Sequence, residues 1–225
     1  MKTSSADPIP LHLETFRCGP LDNNLYLLLD REARQAVVID PSIGGETAFQ
    51  TAQRWREQGI QLSAIWNTHG HFDHVYDNAK WKTEFDVPLV AHPADASFLE
   101  HLREQSLWFG LPAPEVVAAD QTFHDGQVVS VGTHSASVLD LPGHSPGSVG
   151  FDFGAFIVSG DVLFKDSVGR TDLPLCSEAD LAASVRKMFQ LAPQTRVLPG
   201  HGPLTTIEAE KHDNLVARDL LRRFS

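Results

Sequence analysis

Short segments rich in apolar, β-branched and aromatic residues recur along the chain, and this pattern predicts β-strands. Nearly all of these segments end beside Gly, Pro or Asp, residues that favour turns. In the first half the predicted strands cover residues 11–17, 24–30, 33–40, 61–69 and 87–92. In the second half they cover residues 127–131, 136–143, 148–154, 155–161 and 195–202. Both halves of the chain are therefore expected to be rich in β-structure.

Longer segments between the strands have the amphipathic character of helices. Gly59 is expected to end the first helix, and Ser177 is expected to cap the start of a later one. A long connection, residues 107–116, is predicted to be a loop. The predicted helices cover residues 45–60, 74–85, 94–104, 177–191 and 206–224. Two β-rich halves with helices outside them indicate an α+β fold in which helices cover a β-sandwich.

The size and the charge of the chain limit the number of domains and the kinds of binding partner that are expected. A chain of 225 residues that is 42% hydrophobic can form one sizeable core, so one domain is expected over residues 1–225. The formal net charge of -11 repels phosphate backbones and anionic lipid, so no nucleic-acid or membrane partner is expected. A small anionic substrate stays compatible with this charge, because a bound metal attracts anions locally. The sequence specifies no oligomeric state.

Cysteine usage and the first residues indicate a cytoplasmic protein. The two cysteines, Cys18 and Cys176, are too few for a disulfide framework, and free thiols fit this count. The first ten residues, MKTSSADPIP, contain no apolar run of signal-peptide length. No segment of the chain is apolar over the length that a membrane span requires.

The segment THGHFDH, residues 68–74, carries the most specific chemical signal in the chain. It places His69, His71, Asp73 and His74 in a loop that follows a predicted strand. Neutral imidazole and carboxylate are the ligands that zinc and similar cations prefer, and Gly70 lets the backbone bend without steric cost. The alternative is a surface loop that is rich in histidine by chance.

Three later segments weaken that alternative. Each follows a predicted strand, and each contains a glycine beside a side chain that can bind metal: PGHS with His144, SGD with Asp161 and PGHG with His201. Two metal ions with open positions need about seven ligands. The sequence offers seven, so a site for two metal ions is predicted.

These four motifs, in this order and spacing, resemble the metallo-β-lactamase fold superfamily over nearly the whole chain. The resemblance implies a four-layer αββα sandwich. It assigns His69, His71 and His144 to one metal ion. It assigns Asp73, His74 and His201 to a second metal ion, with Asp161 as the bridge. Asp161 also makes the chain similar to the short, bacterial-type glyoxalase II-like subgroup, because the lactamases usually carry another residue there.

The resemblance and the ligand set together imply a reaction. Two divalent metal ions are the expected cofactor; zinc is the first expectation, and iron or manganese accept the same ligands. A water shared by two cations has a pKa near neutrality, and the resulting bridging hydroxide would attack a carbonyl carbon. Asp73 and Asp161 are the expected catalytic carboxylates. A covalent mechanism is disfavoured, because the chain has no G-x-S-x-G motif and neither cysteine lies in a ligand motif.

Residues outside the ligand set are expected to support it. Asp40 matches an aspartate that, in the family, holds a metal-bound histidine, and Thr68 and Ser145 lie where they could fasten the ligand loops. Trp108 and Phe109 are expected to form an apolar wall over the site, although ordinary core packing is an equal alternative.

The segment after Asp161 resembles the glyoxalase II-like subgroup and indicates the substrate. Arg170 falls where a basic residue of glyoxalase II binds the glycine carboxylate of glutathione, whereas Asp172 stands where an aromatic residue is typical. No counterpart of the extra helical domain that contacts glutathione in glyoxalase II is expected after His201. The expected substrate is therefore a small-molecule thioester such as S-lactoylglutathione, recognised with looser specificity.

Three alternatives stay open. The first is a persulfide dioxygenase of the same superfamily, which binds one iron through residues that match His69, His144 and Asp161 and shares a G-R-T-D segment like residues 169–172. The complete second ligand set, with His201, argues for two metals. The second is a nuclease of the same fold, which the net charge disfavours. The third is a metal-binding module without catalysis, which the open coordination disfavours.

Overall fold

The computed structural model describes residues 11–224. The segment 1–10, on which the expectation of a cytoplasmic location partly rests, lies outside the described residues. No helix between residues 11 and 224 has both the length and the apolar character that crossing a bilayer requires.

Two six-stranded mixed sheets form the centre of the fold. The first sheet has the order β1-β2-β3-β4-β5-β6. Its strands are β1 (His12–Cys18), β2 (Asn23–Asp30), β3 (Gln35–Ile39), β4 (Gln61–Trp66), β5 (Leu89–Ala91) and β6 (Gln121–Thr122).

The second sheet has the order β14-β13-β10-β9-β8-β7, and β11 and β12 form a separate two-stranded ribbon. The strands of this half are β7 (Val128–Val131), β8 (His134–Asp140), β9 (Val149–Asp152), β10 (Phe156–Gly160), β11 (Leu163–Phe164), β12 (Ser167–Val168), β13 (Arg196–Pro199) and β14 (Thr205–Thr206).

Between residues 11 and 224, eight α-helices lie in two groups, one in each half of the chain. The first group is α1 (Glu46–Glu57), α2 (Phe72–Val75), α3 (Asn78–Phe85), α4 (Ala96–Glu100) and α5 (Leu102–Trp108). The second group is α6 (Glu178–Met188), α7 (Ile207–Asp213) and α8 (Leu215–Arg223). As predicted, Ser177 caps α6, because its side chain accepts a hydrogen bond from the backbone N–H of Asp180.

The alternation of side chains along β2 shows how the layers are built. Every residue of β2 is buried, because successive side chains point to opposite faces and both faces are covered. Tyr26 and Leu28 pack into the core between the two sheets. Leu25, Leu27 and Leu29 pack on the other face, where α1 covers the sheet.

The second sheet is covered in the same way on its outer face. Leu181, Val185 and Met188 of α6 pack with Leu220 of α8 and with Ile157 of β10. The layers are therefore helices, sheet, sheet and helices, which confirms the predicted α+β fold and its four-layer sandwich.

Several element boundaries differ from the sequence prediction. The helix predicted over residues 206–224 is interrupted at Asn214, whose extended backbone and capping side chain begin α8. The helices predicted over residues 74–85 and 94–104 are each divided into shorter pieces. The segment 107–116 was wrongly predicted to be a loop throughout, because α5 extends to Trp108. The two-residue strands of β6, β11, β12 and β14 are too short to show a period in the sequence.

Asp30, at the end of β2, ties the first sheet to the hairpin between β7 and β8. One carboxylate oxygen accepts hydrogen bonds from the N–H groups of Glu32 and Ala33, and the other accepts from the N–H and hydroxyl of Thr133. The bonds from the backbone N–H groups of Ala33 and Thr133 favour the charged form and lower the pKa of Asp30 to about 2.

We expect Asp30→Asn to lower the free energy of unfolding by about 1–2 kcal/mol at neutral pH, because one acceptor oxygen becomes an NH2 donor and the other loses its charge. A depressed pKa stabilises the fold above the pKa of the unfolded chain, and this stabilisation is lost as pH falls through the folded value. The difference between variant and wild type should therefore shrink below about pH 4 and disappear as pH falls through about 2. Urea unfolding at several pH values checks this, with Asp152→Asn as control. A difference that stays constant down to pH 2 would contradict it.

Candidate metal centre

The first four predicted ligands come from the chain between β4 and α3. His69 and His71 lie in the loop after β4, and Asp73 and His74 lie in the single turn of α2. All four side chains are buried. A loop followed at once by a helical turn lets residues two, four and five positions apart in sequence face one centre.

The other three ligands come from the second sheet. His144 follows β8, Asp161 comes directly after β10, and His201 follows β13. β10 and β13 are parallel neighbours, so their carboxyl ends meet at one edge of the sheet. The structure therefore brings all seven predicted side chains together where the two sheets present the same end.

The side chains of His69, His71 and His144 form one triad. Their ligand atoms lie within 4.8 Å of one another, and Nδ1 of His71 is 2.8 Å from Nε2 of His144. The rings are nearly perpendicular or steeply inclined to one another, with centroids 4.5–5.0 Å apart. This orientation directs the ring nitrogens toward a common point.

The side chains of Asp73, His74 and His201 form a second triad with similar spacing. Nε2 of His74 lies 3.2 Å from Nε2 of His201. Oδ2 of Asp73 lies 3.3 Å from Nε2 of His201 and 3.5 Å from Nε2 of His74.

Asp161 lies between the two triads. Its Oδ2 is 3.5 Å from Nε2 of His144 in the first triad and 3.4 Å from Nε2 of His201 in the second. Its Oδ1 is 3.5 Å from Nε2 of His74. One carboxylate therefore faces both groups, which is the position that a bridging ligand requires.

The donor atoms fit divalent metal ions. Zinc bound to nitrogen and oxygen at 2.0–2.2 Å in a tetrahedron would place its ligand atoms about 3.3 Å apart, close to the spacings of the second triad. Nε2 of His69, Nε2 of His71 and Oδ1 of Asp161 are buried and have no hydrogen-bond partner among the described residues. Buried polar atoms are costly without a partner, and a cation would satisfy them. The fold and these clusters imply a pair of divalent metal ions.

The electrostatics of the two triads differ. Burial, together with the neighbouring histidines His74 and His144, lowers the pKa of His69 well below its usual range and that of His71 to about 3. These rings are therefore neutral and able to donate a lone pair to a metal. Burial also acts against charge on His74, but Asp73 and Asp161 outweigh it and raise the pKa of His74 well above its usual value.

The pKa of His201 is raised to about 9, because the carboxylates of Asp161 and Asp73 outweigh burial. The second triad therefore attracts positive charge. Metal ions and protons compete for such ligands, so metal binding there releases protons and depends on pH.

Asp40 and Thr68 lie behind the triads, where the sequence placed them. Both oxygens of Asp40 bind Thr68: Oδ1 accepts from the backbone N–H at 2.8 Å and Oδ2 from the hydroxyl at 2.6 Å. Oδ2 of Asp40 is also 3.1 Å from Nδ1 of His74, and Oγ1 of Thr68 is 3.0 Å from Nδ1 of His69. Asp40 adopts a left-handed φ of 52°, a strained conformation that occurs often at functional sites. These contacts orient two ligand rings.

Sequence reasoning missed Asp95, which connects the ligand loops. Its buried carboxylate accepts hydrogen bonds from the N–H of Gly70, the hydroxyl of Ser145 and the N–H of Gly147, at 2.6–2.8 Å. Gly70 lies between His69 and His71, so one side chain fixes loops from both sheets. Ser145 therefore does fasten a ligand loop, but through Asp95. Asp95 was undetectable from sequence because it stands alone in a segment that reads as a helix.

Asn23, at the start of β2, was also missed. Its Nδ2 donates a hydrogen bond to Oδ2 of Asp73 at 2.9 Å and lies 3.2 Å from Nε2 of His74. The side chain is completely buried, and its Oδ1 has no partner among the described residues. Gly200 is required beside it, because a Cβ there would collide with the Asp161 carboxylate and the His74 ring.

A cavity of about 690 Å³ opens onto the cluster. Trp108 and Phe109 both line it, and Phe109 stacks on Phe72 with ring centroids 4.5 Å apart. Arg170 lines it too, but its guanidinium is bound to Asp172 by two hydrogen bonds. The backbone carbonyl of Arg170 has an additional contact, 2.9 Å from Nδ1 of His144.

Comparison with known proteins agrees with this geometry. The family model of the metallo-beta-lactamase superfamily matches residues 18–201. The chain is 35% identical over 209 residues to "Hydroxyacylglutathione hydrolase GloC" of Haemophilus influenzae, covering 91% of this chain and 97% of that protein.

Two solved structures are similar over most of the chain. One is "BLEG-1 B3 metallo-beta-lactamase", with a TM-score of 0.81 and 33% identity over 91% of this chain and 98% of the other. The second is "TTHA1623 in a di-iron-bound form", with a TM-score of 0.80 and 37% identity over 90% of this chain and 98% of the other. With its fold, its two triads and these relatives, the chain belongs to the metallo-beta-lactamase superfamily, where it is similar to the glyoxalase II-like subgroup.

Proposed function

We propose that this chain is a metal-dependent hydrolase that cleaves small thioesters of the S-lactoylglutathione type. The observation that carries the proposal is the position of Asp161, whose carboxylate faces both triads at the floor of an open cavity. The relative named as a hydroxyacylglutathione hydrolase, which this chain matches over 97% of its length, supports a thioester as the substrate.

The residues of the site have distinct tasks in this proposal. His69, His71 and His144 would hold one cation, Asp73, His74 and His201 the other, and Asp161 would touch both. When bound, two divalent cations supply a water of lowered pKa and polarise the substrate carbonyl. Asp73 and Asp161 line the cavity, so their oxygens can orient a water molecule, and Asp73 would also take part in moving its proton. Asn23 would hold Asp73 in that orientation.

Neither of the two cysteines is placed to act as a covalent nucleophile. Cys18 is buried, and burial raises the pKa of its thiol to about 11, so it carries almost no thiolate at neutral pH. The Cys176 thiol donates to the carbonyl oxygen of His144, and burial raises its pKa as well. Hydrolysis by water is therefore the mechanism that this site supports.

The persulfide dioxygenase remains the alternative function. It would use one iron held by His69, His144 and Asp161, and the 3.5 Å between Nε2 of His144 and Oδ2 of Asp161 is compatible with such a set. The second triad would then have no function. The close spacing of that triad favours the binuclear hydrolase.

We expect Asp161→Ala to lower kcat for thioester hydrolysis by roughly a thousandfold and to reduce the bound metal from about two ions per chain toward one. The reason is that the substitution removes the carboxylate that contacts both triads. Asp152→Ala makes the same change at the end of β9, outside the cavity, and is the matched control. Steady-state kinetics with metal analysis checks this. Equal losses in the two variants would place the site elsewhere.

Metal content and substrate turnover separate the hydrolase from its alternatives. We expect the protein, purified without added metal, to contain close to two metal ions per chain and to hydrolyse S-lactoylglutathione, with activity lost on chelation and restored by divalent metal. One iron per chain with oxygen uptake on glutathione persulfide, and no thioester turnover, would indicate the dioxygenase. Faster hydrolysis of a cephalosporin than of the thioester would indicate a lactamase.

A further inference from the structure

The cavity beyond the metal centre is lined mainly by apolar side chains. Aromatic rings reach it from several elements, including Phe72 of α2, Trp108 of α5 and Phe164 of β11. The side chain of Trp108 is 72% exposed, so a large apolar surface faces the opening and is available to a ligand. Such a surface favours apolar groups, because their contact with it removes both from water.

Charge in the same cavity is nearly balanced. Among residues 11–224, the charged side chains that line it outside the metal centre are Arg170 and Glu104, with His101 as a further titratable group. Arg170 is the cation that could bind an anionic part of a substrate. Whether the Arg170 guanidinium is free to bind an anion therefore determines which substrates the cavity favours.

Arg170 is already bound to a carboxylate. Its Nε and Nη2 donate to the two oxygens of Asp172 at 2.7 and 2.8 Å, the parallel arrangement in which guanidinium recognises carboxylate. Each group stabilises the charge of the other, so the pKa of Asp172 is lowered and that of Arg170 is raised. An anionic ligand must share or displace this partner.

The thiol portion of S-lactoylglutathione carries two carboxylates and one ammonium group. In this cavity its carboxylates would meet Glu104, and Arg170, the matching cation, is already paired with Asp172. An uncharged apolar thiol meets none of these penalties and can contact the aromatic wall.

We infer that the site prefers thioesters whose distal portion is apolar and uncharged, and that Asp172 determines this preference by neutralising Arg170. The inference rests on the proposed thioesterase activity and specifies its substrate class. Asp172 acts on specificity through Arg170 and is not assigned a part in the chemistry.

Two substrates with one acyl group test the preference: S-lactoylglutathione and the lactate thioester of benzyl mercaptan. For the wild type with both metals bound, we expect kcat/KM to be about tenfold higher for the benzyl thioester. Asp172→Asn should raise kcat/KM for S-lactoylglutathione about three- to tenfold and change that for the benzyl thioester less than about twofold.

Asp219→Asn is the matched control, because Asp219 is also 70% exposed and paired with a nearby arginine, Arg223. It changes the net charge equally and should alter neither substrate. Adding Arg170→Gln to Asp172→Asn should abolish the gain, since the gain requires the freed cation.

Three results would overturn the inference. They are a wild-type preference for S-lactoylglutathione, a fall in its turnover on Asp172→Asn, and a gain that persists without Arg170. In each case the benzyl thioester reports whether the variant is folded and active. If the metal-loaded wild type hydrolyses neither thioester, the proposed function itself is refuted and the inference falls with it.

Discussion

The structure depends on one electrostatic constraint: seven side chains that can bind metal face each other in a space that is mostly buried. Four of them come from the first half of the chain and three from the second sheet. Imidazole nitrogens and carboxylate oxygens stand 3.2–3.5 Å apart in the second triad, with Asp161 between it and the first. Lone pairs at such distances repel unless protons or cations lie between them. The fold resists this repulsion with hydrogen bonds from behind, in which Asp40, Thr68, Asp95 and Asn23 hold the ligand loops.

The ligands themselves could be predicted from the sequence, because they lie in short motifs that are local in the chain. THGHFDH places four donors within six residues, and the three later ligands each stand beside a glycine after a strand. Gly200 shows why: any larger residue would collide with Asp161 and His74. The layered fold was also accessible, since the apolar positions of β2 are arranged for a sheet covered on both faces.

Contacts between residues that are far apart in sequence could not be predicted. Asn23 and Asp73 are 50 positions apart in sequence, and so are Asp95 and Ser145. Neither Asn23 nor Asp95 belongs to a recognisable motif. Helix breaks were missed for a related reason. Asn214 interrupts an otherwise helical segment because its side chain caps α8 and also binds the carbonyl oxygens of Phe164 and Ser167, contacts that only the folded chain provides. The pairing of Arg170 with Asp172 is local, but its bearing on substrate choice required the cavity.

The position of Asp95 has a consequence for how the two halves of the chain behave together. Its carboxylate binds Gly70, in a loop of the first sheet, and Ser145 and Gly147, in a loop of the second. Asp95 itself follows β5 of the first sheet, so any motion that separates the sheets at this edge breaks its bonds to Ser145 and Gly147 together. A buried carboxylate then loses two of its three partners, which costs far more than loosening one loop. The edge that carries the ligands is therefore a rigid seam of the sandwich, and the ligand cluster at the floor can keep its geometry while a substrate enters through the open cavity above it.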